Sequence, residues 1–139
     1  MSKVYLAAPF ARQAEMRKIR EQLHGLDCYV TSRWLDERES PLKPPEQAAY
    51  HDLADIAACD TFIQFTNPPA NKHYPDGLYM SEYNPRGGMH VEFGYALARG
   101  KEIWVVGYRE NIFHHLLNVR FFKSWAQVMA EVYGIKVVA

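Results

Sequence analysis

Short apolar runs of strand length alternate along this chain with stretches whose apolar residues recur every three or four positions. The strand-like runs are residues 3–8 (KVYLAA, stopped by Pro9), 28–34 (CYVTSRW), 61–66 (TFIQFT) and 102–107 (EIWVVG). The segment VRFFKSW predicts a short fifth strand running into a last helix, with Ser124 as its N-cap. Between the runs, residues 11–26 put Ala11, Ala14, Met16, Ile19, Leu23 and Leu26 mostly on one helical face. A second helix opens at Pro44 and Pro45, where a missing N–H costs nothing, and carries Ala49, Leu53, Ile56 and Ala57 inward until about Asp60. A third helix holds Glu92 in its first turn and closes at Gly100. The last is striped by Trp125, Val128, Met129 and Val132.

Strands separated by helices build βαβ units, and those units build a parallel sheet covered on both faces. The expected fold is therefore α/β: a doubly wound, flavodoxin- or Rossmann-like, mainly parallel five-stranded sheet flanked by helices. With 139 residues, residues 1–139 make a single domain. Ligands of such open sheets bind beyond the carboxyl ends of the strands, where the winding direction switches. That places together the turn after strand one (Ala8 and Phe10), the end of strand three, and the entry to the third helix (Arg86, Gly87, Gly88 and Met89). Residues 67–88 carry four prolines and three tyrosines (Tyr74, Tyr79 and Tyr83). Loops longer than ~12–15 residues are uncommon in compact domains and usually functional or disordered, and the tyrosines favour the first.

Sixteen basic residues balance sixteen acidic ones, which argues against a nucleic-acid polymer as partner. No apolar run approaches the ~20 residues of a membrane span, and the N-terminus enters a strand without a signal-peptide pattern. Cys28 and Cys59 form no CxxC pair and read as buried thiols of a reducing cytoplasm.

Several motif matches fail on inspection. His90-Val91-Glu92 matches the HxE of zinc nucleobase deaminases, but no cysteine follows to complete the metal site. GYALARGK has the wrong spacing for a phosphate loop, and its Gly100 ends a helix instead of starting one. No GxGxxG occurs. His114-His115 lacks carboxylate or cysteine partners at ligand spacing, so no metal and no cofactor is expected.

What remains is Tyr5, Asp52 within DLADIAACD, the Arg86-Gly87-Gly88 entry, and Glu92. Each has a bland alternative: Tyr5 as core, Asp52 and Asp55 as solvated helix charges, Glu92 as an acid favoured by the helix dipole. Together they suit chemistry at a sugar's anomeric carbon. Glycines admit a substrate close to the backbone. A carboxylate at a helix start should stay ionised and stabilise an oxocarbenium-like transition state, while a second acid positions a hydroxyl or moves a proton.

These residues resemble the nucleoside 2-deoxyribosyltransferases and their nucleotide N-hydrolase relatives over most of the chain. VYLAAPF is similar to the family's opening strand and turn, DLADIAACD to its D-L-x-x-I-x-x-x-D helix, and GMHVEFGYALARGKEIWVV to its nucleophile helix and following strand. The resemblance implies Glu92 as nucleophile at C1′, Asp52 as the acid near sugar and base, and Tyr5 as the group holding the nucleophile's carboxylate. RENIF resembles a segment through which a neighbouring subunit lends an Asn, here Asn111, to the sugar's 5′ side. A homo-oligomer with shared active sites is thereby implied, as is a small nucleoside or nucleotide substrate. One departure is Arg86, which stands where the nucleoside transferases carry a base-reading Asp. An Arg there would favour a 5′-phosphate through a charge-assisted contact. A non-catalytic nucleotide-binding sensor on the same fold is the alternative from a different class.

Overall fold

A computed structural model of the chain describes residues 1–37, 44–66 and 87–136. Five parallel strands, β1 (Ser2–Ala7), β2 (Cys28–Val30), β3 (Thr61–Phe65), β4 (Glu102–Val106) and β5 (Val119–Phe122), form one sheet in the order β2-β1-β3-β4-β5. That order is the flavodoxin-like one, with its switch point between β1 and β3. The helices are α1 (Gln13–His24), α2 (Pro45–Ala58), α3 (Gly88–Ala98) and α4 (Trp125–Tyr133). The α/β reading of the sequence holds.

All five residues of β3 are buried, as a central parallel strand covered on both faces requires. One face carries Tyr5 and Phe62, stacked at 5.7 Å between ring centroids, with Phe93 of α3 set edge-on to Phe62 at 6.5 Å. Met16, Ile19 and Leu23 of α1 are buried, spaced as one helical stripe. Trp125 of α4 packs against Phe65 and donates to Gln22 of α1, joining α1 and α4. The N-cap at Ser124 is as the sequence predicts: its side chain accepts from the Gln127 N–H at 3.1 Å.

Boundaries differ in two places, each for a local reason. α1 begins at Gln13 instead of Ala11, because Phe10–Arg12 closes a 3₁₀ turn through the Arg12 N–H and the Pro9 carbonyl. β2 stops at Val30 instead of reaching Trp34. Side chains replace the ladder there: Ser32 Oγ accepts from the Leu6 N–H at 2.8 Å, and Trp34 Nε1 donates to the Leu6 carbonyl at 2.8 Å. Leu6 is thus satisfied without a further strand residue, and Arg33–Asp36 turns away as a 3₁₀ helix. In α2, Ile56 is buried, but Ala49 is exposed and Leu53 only half-buried. The turn after β4 needs Gly107: its φ is +122°, and a Cβ would lie 2.7 Å from Thr66 Oγ1.

Candidate active site

The carboxyl ends of β1 and β3 leave an opening that α2 and α3 wall in. A cavity of about 500 Å³ lies there, lined by Ala8 and Pro9 from the β1 exit, Ala49, Asp52 and Leu53 from α2, and Gly88, Met89, Val91 and Glu92 from α3. Among the described lining residues, two carboxylic acids face an otherwise apolar wall. Such a lining lets few polar groups set orientation while excluding water.

Glu92 reaches this position from the second turn of α3, not the first. The helix is capped at Gly87 (φ 95°), has no acid in its first turn, and uses the Gly87 carbonyl for the His90 and Val91 N–H groups. The dipole explanation therefore weakens, since its effect fades beyond the first turn. What fixes Glu92 is Tyr5, whose hydroxyl donates to Glu92 Oε2 at 2.8 Å across 87 residues of sequence. Tyr5 is fully buried, so it is both core and site; its stacking on Phe62 fixes the ring that carries the hydroxyl.

The ionisation of Glu92 departs from the expectation of a carboxylate held charged. Its pKa is pushed up to about 7, first by burial, against which the Tyr5 hydrogen bond pulls down. The negative charge of Asp52 and its hydrogen bond to Glu92 push it up further. Two carboxyls that share a proton cannot easily both ionise. Burial and the same acids raise the Tyr5 hydroxyl well above its usual value, so it stays a donor.

The three acids of DLADIAACD are divided among different tasks. Asp52 faces the cavity. Asp55 is buried, not a solvated charge: it accepts from Arg33 Nε at 2.9 Å and from the Arg33 N–H at 3.0 Å, holding the turn that ends β2. Asp60 accepts from the Lys3 N–H at 2.9 Å.

Of the other candidates, Ala8, Gly88 and Met89 line the cavity. Gly87 supplies the left-handed cap behind them. Phe10 is part-exposed against Trp34, next along the chain from Pro9. Arg86 and the three loop tyrosines lie outside the described residues. Asn111 caps the 3₁₀ turn Ile112–His115 by accepting from the Phe113 N–H at 2.9 Å, and its amide lies 3.5 Å from His90 Nδ1. Within its own chain it does not line this cavity. Arg12 is held by Glu15 through two contacts of 2.9 Å. Sequence reasoning assigned Ala49 and Leu53 to the core; Asp52 and Leu53 follow Ala49 by three and four residues, the helical spacing that groups the three.

No protein-family model and no curated protein matches the sequence. Solved structures do match the fold. A CMP N-glycosidase of Clostridium botulinum, BcmB, is 22% identical over 96% of this chain and 100% of its own, with a TM-score of 0.59. A 2-deoxyribosyltransferase of Bacillus psychrosaccharolyticus is 20% identical over 99% and 100%, with a TM-score of 0.64. A 2-desoxiribosyltransferase of Leishmania mexicana is 21% identical over 76% of this chain and 64% of its own, with a TM-score of 0.56. The likeness is one of fold: this chain has the five-stranded parallel architecture on which those enzymes are built.

Proposed function

We propose that this chain, which has the fold of the nucleoside 2-deoxyribosyltransferases, cleaves the N-glycosidic bond of a deoxynucleoside or its 5′-monophosphate. The observation that carries the reading is the Tyr5–Glu92–Asp52 constellation on an apolar cavity at the switch point. The folds of an N-glycosidase and two deoxyribosyltransferases support it.

In the proposed reaction Glu92 works as its carboxylate. Burial strips it of water, and Tyr5 holds one oxygen so that the other faces the sugar. As the C1′–N bond lengthens, positive charge grows on the sugar ring, and a nearby carboxylate stabilises it. Glu92 then forms a bond to C1′, and the electron pair of the broken bond leaves with the base. The proton held between the two acids goes with Asp52, which delivers it to the departing base. A second base, or water deprotonated by Asp52, attacks C1′ and releases Glu92.

Chromatography of a panel of deoxynucleosides and monophosphates, with and without an acceptor base, tests the reading. Free base alone indicates hydrolysis, and a new nucleoside indicates transfer. Binding with no base released under either condition favours the sensor alternative. Arg86 bears on the same panel: a preference for monophosphates that Arg86→Asp abolishes is the expected result.

The proposal includes a homo-oligomer of single-domain chains with shared sites. Next to Asn111, Ile112, Phe113 and Leu117 are exposed apolar side chains, a surface suited to a second copy.

A further inference from the structure

The chain has no net charge, yet cations gather at one place on it. A second cavity, of about 560 Å³, lies at the carboxyl ends of β4 and β5, lined by Gly107, Tyr108, Arg109, His115, Phe121 and Lys123. Among the described residues, it shares no lining residue with the cavity of Glu92, and three of the six that line it carry basic side chains while none is acidic. Among the described residues, none of the three forms an ion pair. This contrasts with Arg12, Arg20 and Arg33, each of which is matched to a carboxylate.

The site is ordered from beneath. Gly107 turns the chain with a conformation only glycine adopts readily there, its N–H donates to the Phe122 carbonyl at 2.9 Å, and the Tyr108 N–H donates to Thr66 Oγ1. The exit of β4 is thus tied to both neighbouring strands. Arg109 lies over the Phe121 ring at 4.2 Å, a cation–π contact that favours this position of the guanidinium beside the cavity. Burial first, and then the neighbouring His90, His115 and Arg109, depress the pKa of His114 to about 4. His114 stays neutral, accepting from the Glu110 N–H at 2.9 Å and meeting Gln64 at 3.2 Å.

We propose that the β4–β5 cavity is a phosphate-binding site separate from the cavity of Glu92, with Arg109 and Lys123 as its charged ligands. A guanidinium and an ammonium on one wall suit a phosphate group, with Arg109 supplying paired donors and Lys123 a point charge. The phosphate comes either from inorganic phosphate or pyrophosphate, or from a nucleotide whose base rests on the exposed Tyr108 ring at the rim.

The test is amide NMR of the whole chain titrated with inorganic pyrophosphate and, separately, with a nucleoside triphosphate. The Glu92→Ala variant is used, so that turnover plays no part. Saturable shifts at Gly107, Tyr108, Arg109 and Lys123 are expected. Arg109→Gln with Lys123→Gln should weaken binding by at least about tenfold, with other resonances unmoved. Arg109→Lys alone should give an intermediate loss. Equal affinity for both probes indicates that phosphate alone is read; tighter nucleotide binding, lost in Tyr108→Ala, indicates the base as well. Absence of saturable shifts at these amides up to about 10 mM overturns the proposal, as do shifts that persist in the double variant. Neither outcome depends on glycosidic cleavage, so the two readings stand or fall separately.

Discussion

Glu92 is where the proposed chemistry and the stability of this molecule meet. Its pKa of about 7 means that the native state keeps a proton the unfolded chain has already lost above its ordinary value of 4.5. The stabilisation linked to that proton is complete below the unfolded value and disappears as pH rises through about 7. A shift of this size corresponds to something on the order of 3 kcal/mol. Glu92→Gln retains an acceptor for Tyr5 and cannot ionise. Its melting temperature should gain on that of the native chain as pH rises from about 5 to about 8, which thermal unfolding across that range checks. Activity in the proposed reaction needs the same proton, carried by Asp52 while Glu92 is ionised, so kcat/KM should fall as pH rises through about 7 and the pair loses it. Tyr5→Phe removes the hydrogen bond that pulls the Glu92 pKa down. That fall should then shift to higher pH, while Glu92 is less often the ionised partner and kcat/KM drops by roughly tenfold near neutral pH.

Among the elements, strands and helices were legible wherever apolar residues run together or repeat on one face. The buried run of β3 and the α1 stripe of Met16, Ile19 and Leu23 are of that kind. The early end of β2 was not, because Ser32 and Trp34 reach 26 and 28 residues back to Leu6, and no local pattern reports such bonds. Ala49 and Leu53 were misassigned because a helical stripe facing a cavity has the same periodicity as one facing a core. Glu92, Asp52 and Tyr5 were legible as a set through resemblance. The ionisation of Glu92 was not, since it arises from packing α3 against α2 and β1. A sharper element-scale expectation concerns Gly107. Gly107→Ala requires an unfavourable φ and a Cβ against Thr66, so it should cost about 2 kcal/mol or more in chemical denaturation.

For the whole molecule, the doubly wound sheet explains why residues from three distant segments converge. A switch point opens a crevice at the carboxyl end of β1 and β3, and α2 and α3 close two of its sides. In the proposed oligomer, a second copy docks on the exposed apolar surface at Ile112, Phe113 and Leu117 and completes the enclosure. Ile112→Asp with Leu117→Asp should yield monomers by sedimentation at micromolar concentration and reduce base release, while leaving the fold intact by circular dichroism. An unchanged assembly would remove that surface from the interface. Whether the crevice breaks glycosidic bonds through Glu92 is decided most directly by release of free base from the deoxynucleoside and monophosphate panel, measured for the native chain and Glu92→Ala together. Base released by the native chain and none by Glu92→Ala is the predicted result; undiminished release by Glu92→Ala would contradict it.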